Sequence, residues 1–154
     1  MTVNLYLVRH ADAGSRKSWN AADDLRPLSP KGRRQARALV GRFDALDVDT
    51  LVSSPFLRCV QTLEPLAAAR HTEIGVEQDL AEGMPAERIE ALLLRLAVRP
   101  TAACSHGDVI EALIPHLVLR DTRVIGEVGF AKGSVWELHA DGGRFVSARY
   151  WPAP

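Results

Sequence analysis

The chain has 154 residues, of which 47% are hydrophobic, and its formal net charge at pH 7 is zero. So much hydrophobic sequence excludes a disordered chain, and we expect one domain over residues 1–154. The neutral balance gives no electrostatic support for a nucleic-acid or membrane-surface partner. Specificity for an anion must therefore come from basic side chains that the fold gathers locally.

The two cysteines and the N-terminus indicate the expected compartment. Cys59 and Cys104 form neither a disulfide framework nor a zinc signature, and both lie in apolar sequence typical of buried thiols. The first residues lack the pattern of a signal peptide, and no apolar run approaches the ~20 residues of a membrane span. We expect a cytoplasmic protein.

Residues 4–10 contain the first predicted element, a short buried strand that ends in Arg9 and His10. Basic side chains at the tip of a buried strand are costly unless they face a cleft. In open α/β sheets, ligands bind at the carboxyl ends of the strands. Our first hypothesis is an anion site there; the alternative is a strand that simply leaves the core into a polar loop.

A long polar loop over residues 11–28 follows, and loops of this length are usually functional or mobile. Ser29 and Pro30 then predict a helix, as N-cap and first helical residue, and the apolar spacing continues to Phe43.

The next strand is predicted at residues 50–53 and the next helix at residues 56–70, where Pro65 should bend or interrupt it. Arg58 lies in the first turn of that helix and opposes the helix dipole. This small cost indicates a bound anion, unless Arg58 is an ordinary surface arginine.

The later elements alternate in the same way. We predict a strand at 73–77, a loop at 79–83, a helix at 85–98, a strand at 101–105, a buried helix at 109–119 kinked at Pro115, a loop at 121–133, and two antiparallel strands, 133–139 and 144–151, around a turn at 141–143. His106 is the second histidine that follows a predicted strand. The order predicts a three-layer α/β/α fold whose central sheet is mostly parallel, with a C-terminal antiparallel hairpin at one edge.

Four short motifs occur in this order. They are Leu-Val-Arg-His (7–10), Ser-Ser-Pro-Phe-Leu-Arg-Cys-Val-Gln-Thr (53–62), Leu-Ala-Glu (80–82) and Ser-His-Gly (105–107). Together they resemble the signatures of the histidine phosphatase superfamily, the phosphoglycerate-mutase-like fold. Within it the short chain resembles the SixA-type phosphohistidine phosphatases. Residues 9–35, 53–67 and 132–136 look still more like the histidine-phosphatase domain fused to Nudix domains in MutT-type proteins.

The resemblance implies a role for each motif residue. His10 would be the nucleophile that forms a phosphohistidine, and His106 would hold a phosphate oxygen. Arg9 and Arg58 offer forked donors that match phosphate oxygens. Glu82 would protonate the leaving group and later activate water. Arginine and histidine would supply the positive charge, so we expect neither a metal nor another cofactor.

Further phosphate contacts are expected from Arg16, Gly107, Ser15 and Lys17, although the last two could equally be loop surface. Arg16 replaces an asparagine common in mutases and weakens a mutase interpretation. The chain between Arg58 and His106 is too short for a large lid. We therefore predict an open pocket bordered by residues 11–28 and 121–133.

The leading functional prediction is a metal-independent phosphatase that acts on protein phosphohistidine. The alternative is hydrolysis of a nucleoside diphosphate or another small phosphoester, where Trp19 could stack on a base or merely pack on the domain. A hypothesis of another class is a non-catalytic phosphate-binding module. The expected partner is a phosphorylated protein or a small phosphorylated metabolite or nucleotide, with no nucleic acid or membrane; the oligomeric state is left open.

Overall fold

The computed structural model describes residues 2–154 and contains seven strands and four α-helices in that range. The strands are β1 (Thr2–Arg9), β2 (Thr50–Ser53), β3 (Ile74–Val76), β4 (Thr101–Ser105), β5 (Arg123–Ile125), β6 (Val135–Asp141) and β7 (Arg144–Trp151). The helices are α1 (Pro30–Phe43), α2 (Leu57–Arg70), α3 (Ala86–Leu96) and α4 (Gly107–Leu119). Short 3-10 turns occur at Arg16–Ser18, Asp23–Leu25 and Gln78–Leu80.

All seven strands form one sheet in the order β3-β2-β4-β1-β6-β7-β5. The first four of these run parallel, β6 is antiparallel to β1, and β7 is antiparallel to β6. The predicted α/β fold with a C-terminal hairpin beside a parallel sheet is thereby confirmed. The hairpin reverses at Gly142 and Gly143, whose φ angles of 63° and 78° suit a two-residue turn of the type that matches strand twist.

Both faces of the sheet are covered by helices. Side chains alternate along β1, so that Leu5 and Leu7 join the apolar cluster under α3 and α4. Tyr6 and Val8 join the cluster under α1 and α2 on the other face. A parallel sheet buried on both sides leaves its carboxyl edge as the natural place for a ligand.

The structure differs from the predicted elements in several places. The predicted loop over 121–133 contains β5, which pairs with the outer side of β7 and so satisfies its backbone groups. Helix α2 continues through Pro65, so an interruption there is wrong, and burial of Leu63 and Leu66 helps to offset the hydrogen bond that the proline removes. Helix α4 likewise continues through Pro115. A bend at Pro65 and a kink at Pro115 stay predictions.

Helix α4 also begins two residues earlier than predicted, and its end is not buried: Leu119 is 87% exposed. No helix among residues 2–154 has both the length and the apolar character of a membrane span.

Candidate active site

The pairing of β1 with β4 brings the two motif histidines together. Arg9 is in register with Ser105, and the backbone N–H of His10 donates to the Ser105 carbonyl at 3.0 Å. The residues that follow each strand therefore lie at the same sheet edge. The ring centroids of His10 and His106 are 5.5 Å apart, at an interplanar angle of 64°. Histidines 96 positions apart in the chain thus share one site, as their positions after parallel strands predict.

The His10 imidazole is held in one tautomer. Its Nδ1 lies 2.8 Å from the Ala11 carbonyl oxygen, which can only accept a hydrogen bond, so Nδ1 carries the proton and Nε2 has a free lone pair. Burial lowers the pKa of His10 to about 4; the Ala11 carbonyl acts in the opposite direction, and the charges of Arg58 and Arg9 lower it further. At pH 7 His10 is therefore neutral, as a nucleophile must be.

His106 is packed behind His10 and is almost completely buried. Its Nε2 is 2.9 Å from Ser54 Oγ, which itself accepts from the Phe56 backbone N–H at 3.2 Å. The Ser54 hydroxyl is thus free to donate to Nε2, which leaves the ring proton on Nδ1. That Nδ1 is buried without a protein partner. Burial, followed by the neighbouring His10, lowers the pKa of His106 to about 3.

The guanidinium of Arg9 lies directly over Gly107, the first residue of α4. A Cβ atom at Gly107 would come within 2.6 Å of the Arg9 guanidinium carbon, so only glycine allows this arrangement. Arg9 Nη1 donates to the Phe130 carbonyl, while its Nε is buried without a partner. The glycine of the Ser-His-Gly motif therefore makes room for the arginine of the first motif.

Arg58 is 1% exposed and is held by a carboxylate that sequence reasoning did not single out. Its Nη1 donates to the Asp23 carbonyl at 2.8 Å and its Nη2 to Asp23 Oδ2 at 3.0 Å. Glu82 Oε1 lies 3.5 Å from Arg58 Nη2 and accepts from Arg16 Nη2 at 2.8 Å. The predicted residues Glu82 and Arg16 thus meet Arg58 at one place.

Asp23 joins three arginines. Besides Arg58 it pairs with buried Arg26 at 3.0 Å and with Arg16 at 3.4 Å. Burial raises the pKa of Asp23, but these guanidinium groups more than offset it, and the net pKa lies below its usual value. The only sequence signal was an acid and an arginine three residues apart in a polar loop, which is too common to identify a site.

A cavity of about 260 Å³ lies at the carboxyl edge of the sheet, and His106 and Asp23 are not among the residues that line it. Its walls carry five cationic side chains and only two carboxylates, in a chain whose net charge is zero. The lining residues are Arg9, His10, Gly14, Arg16, Arg26, Arg58, Glu82, Gly107, Asp108 and Lys132. The predicted borders are both represented, residues 11–28 by three residues and residues 121–133 by Lys132. Such an excess of positive charge suits an anion.

Ser15 and Lys17 lie outside this cavity. The Ser15 hydroxyl accepts from the Lys17 backbone N–H at 3.2 Å and so caps a 3-10 turn, and both residues are exposed. Their phosphate-binding roles stay predictions.

Comparisons with known proteins agree with this geometry. The family model of the histidine phosphatase superfamily (branch 1) matches residues 5–85. The chain is 37% identical to an 8-oxo-(d)GTP phosphatase of Mycolicibacterium smegmatis, over 99% of this chain and 49% of that protein. The chain therefore spans about half the length of this curated relative.

Two solved structures share the fold. The protein histidine phosphatase SixA complexed with tungstate has a TM-score of 0.76 at 22% identity, covering 97% of this chain and 94% of SixA. A putative SixA from Nakamurella multipartitia has a TM-score of 0.72 at 23% identity, covering 100% and 96%. The match to the family model supports a phosphoester hydrolase. On the family match over more than half of its length, the chain belongs to the histidine phosphatase superfamily.

Proposed function

We propose that this chain is a phosphatase in which His10 Nε2 accepts the phosphoryl group and then passes it to water. The observation that carries the proposal is a neutral imidazole, fixed through Nδ1, beside a cavity with five cationic side chains. Phosphoryl transfer depends mostly on positioning and on neutralising the charge of the phosphate oxygens. Both requirements are met by this chain's own residues.

Three buried donors lack a protein partner: Arg9 Nε, Arg58 Nε and His106 Nδ1. They come from three separate elements that meet at the site. A buried unpaired donor costs about 1–3 kcal/mol, so three of them in one place are unusual in a folded protein. Phosphate oxygens would give these groups acceptors, and an anion beside His106 would favour its protonated form.

Glu82 is the proposed proton donor to the leaving group. It is one of two carboxylates that line the cavity, and the other, Asp108, accepts a hydrogen bond from the Gly83 backbone N–H at 2.9 Å. Asp23 does not line the cavity and is paired with three arginines, which hold its pKa low. In the first step the bond from phosphorus to the leaving oxygen breaks, a bond to His10 Nε2 forms, and the leaving oxygen takes a proton from Glu82. In the second step Glu82 takes a proton from water, which displaces His10 and releases phosphate.

For the substrate we propose the terminal phosphate of a nucleotide or a similar small phosphoester. The 37% identity to an 8-oxo-(d)GTP phosphatase, over nearly the whole chain, supports this class. Protein phosphohistidine is the second candidate. It is favoured by the short connections around the cavity, because residues 71–85 between α2 and α3 hold only β3 and a 3-10 turn and leave room for a protein-borne group.

The covalent step can be tested with a nucleoside diphosphate labelled in its terminal phosphate. We expect alkali-stable, acid-labile label on His10 within the first turnover, and loss of both label and turnover in the His10→Gln variant. His71→Asn, an exposed histidine in a left-handed conformation that asparagine tolerates, is the matched control. Label on another residue, or turnover that survives His10→Gln, would refute the mechanism.

The two substrate classes differ in their need for Glu82. An ester oxygen leaves as a strongly basic alkoxide unless it is protonated, whereas the nitrogen of a phosphohistidine can leave as a neutral imidazole. We expect Glu82→Gln to lower turnover of a nucleoside monophosphate, which is an ester, about 10²–10⁴-fold and to spare phosphohistidine hydrolysis. Glu111→Gln, an exposed glutamate on α4, should change neither rate. Equal losses on both substrates would show that Glu82 is not a leaving-group acid.

A further inference from the structure

A second cavity, of about 230 Å³, adjoins the catalytic cavity. Gly14 and Arg26 line both, so the two cavities meet at these residues. The chemistry of the second cavity is different: its walls carry apolar and hydroxyl side chains, and Arg26 is the one charged residue among those that line it. An anion is therefore favoured in the first cavity and an uncharged group in the second.

Trp19 forms a fixed wall of this second cavity. Its indole N–H donates to the Ala22 carbonyl at 2.9 Å, and its backbone N–H donates to the Arg16 carbonyl at 3.2 Å. The half-buried ring is thus held in place by the protein alone. A flat aromatic surface held in this way stacks on planar ring systems at little cost in conformational entropy.

Arg26 lies at the junction of the two cavities. Its hydrogen bonds to Asp23, Ala13 and Gly14 use Nε and Nη1, which leaves Nη2 for a ligand. A molecule with a phosphate beside His10 and a second phosphate next to it would place the second negative charge near this guanidinium. Beyond that point the wall is Trp19. Along the two cavities the residues therefore suit, in this order, one phosphate, a second phosphate and a planar ring.

We propose that the second cavity binds the nucleoside of a nucleoside diphosphate whose terminal phosphate lies against His10, and that Trp19 stacks on the base. Trp19 is then a specificity-determining residue for the leaving group. This inference rests on the proposed phosphatase function and narrows its substrate class.

Pyrophosphate provides the discriminating comparison, because it keeps the phosphoanhydride and lacks the nucleoside. We expect Trp19→Leu to raise KM for a nucleoside diphosphate about tenfold, with little change in kcat and no change in KM for pyrophosphate. Trp19→Phe, which keeps an aromatic face, should restore most of the loss. Trp151→Leu is the matched control, since Trp151 packs against Tyr6 and Phe43 and lines neither cavity.

A binding measurement removes any dependence on turnover. In the His10→Gln background, an unphosphorylated nucleoside should quench tryptophan fluorescence, and the quenching should disappear with Trp19→Phe as a second substitution while affinity is retained by calorimetry. Thermal unfolding of each variant checks that the fold is intact.

The possible failures are distinguishable. An unchanged nucleotide KM in Trp19→Leu, or an equal rise for pyrophosphate, would overturn the subsite while the His10 mechanism stands. Turnover of phosphohistidine protein without turnover of nucleotide would also overturn it. Absence of label on His10 with every phosphoryl donor would instead refute the proposed function.

Discussion

His10 and His106 are buried side chains whose ordinary pKa would leave them partly protonated near neutral pH. Burial lowers the pKa of His10 to about 4 and that of His106 to about 3, so both are neutral in the free protein. A bound dianion adds negative charge beside them and must shift these values upward. The proposed nucleophile, His10, is therefore neutral before the substrate arrives, and His106 is the ring that we expect to gain a proton when the substrate binds.

This behaviour is open to measurement by NMR of the imidazole Cε1–H groups. We expect the resonances of His10 and His106 to show no titration between pH 8 and pH 5.5, because neither ring takes up a proton in that range. Saturating vanadate should raise the pKa of His106 into the range between pH 5.5 and pH 8. Assignment by His10→Gln and His106→Gln identifies the two signals. A midpoint near 6.5 for either ring in the free protein would contradict the environment described.

The close approach of Arg9 to Gly107 leads to a second prediction about a single residue. In Gly107→Ala the new methyl group would overlap the Arg9 guanidinium, which is the far end of a flexible side chain and can swing away. We expect activity to fall at least about 10²-fold, since displacing a positioned group by ~1 Å has effects of that size, while the melting temperature changes little. Gly41→Ala, within α1 and with open space around its Cβ, should leave activity unchanged. Retained activity in Gly107→Ala would show that Arg9 has no positional role.

At the scale of elements, α1 is held against the chain segment that follows His10. Gly32 lies in the first turn of α1, and a Cβ atom there would come 1.9 Å from the Asp12 carbonyl oxygen, a backbone atom that cannot move alone. The Ser29 hydroxyl caps the helix through the Gly32 N–H at 3.0 Å and also donates to the Asp12 carboxylate at 2.5 Å. The helix start and the loop are therefore one packed unit.

Two glycines of the same helix should respond in opposite ways to substitution by alanine. Gly32→Ala must separate α1 from the loop, and we expect a loss of about 1–3 kcal/mol in the free energy of unfolding together with reduced activity. Gly41→Ala removes backbone freedom without a clash and should stabilise the protein by about 0.5–1 kcal/mol. Urea denaturation measures both. Similar effects at the two positions would mean that the close approach at Gly32 is unimportant.

Elements with strong local signals could be predicted from the sequence. Ser29-Pro30 predicted the start of α1, and the glycines at 142 and 143 predicted the hairpin turn, because caps and tight turns depend on nearby residues. The three-residue strand β5 could not be predicted from its own residues, because what makes it a strand is its pairing with the edge of β7.

The residues of the candidate site likewise fall into those that the sequence predicts and those that it does not. Residues directly after strands were predictable because parallel register alone brings His10 and His106 to one edge. The placement of Asp23 and Arg26 depends on the path of the loop over residues 11–28, which is set by tertiary contacts such as the bonds of Arg26 to the Ala13 and Gly14 carbonyls. No periodic pattern records that path.

At the scale of the whole molecule, the neutral histidines make stability depend on pH. In the unfolded chain a histidine has a pKa near 6.5, so as pH falls below that value the unfolded state binds protons first. Stability is then complete above about pH 6.5 and declines as the pH falls toward 4 for His10 and 3 for His106. The lowered pKa values of Asp12 and Asp23 act in the same direction, but only below about pH 4, where unfolded carboxylates begin to bind protons.

Urea unfolding between pH 7.5 and pH 4.5 tests this dependence. We expect the free energy of unfolding to fall by about 5 kcal/mol across this range, because each of the two rings contributes roughly 1.4 kcal/mol for each pH unit below its unfolded pKa of about 6.5 while it stays neutral in the folded protein. In the His10→Gln, His106→Gln double variant the decline should largely disappear, whatever its stability at pH 7.5, because the groups that titrate differently in the two states are gone. His71→Asn should keep the wild-type slope. An equally steep decline in the double variant would place the acid sensitivity elsewhere and would contradict two neutral imidazoles at the site.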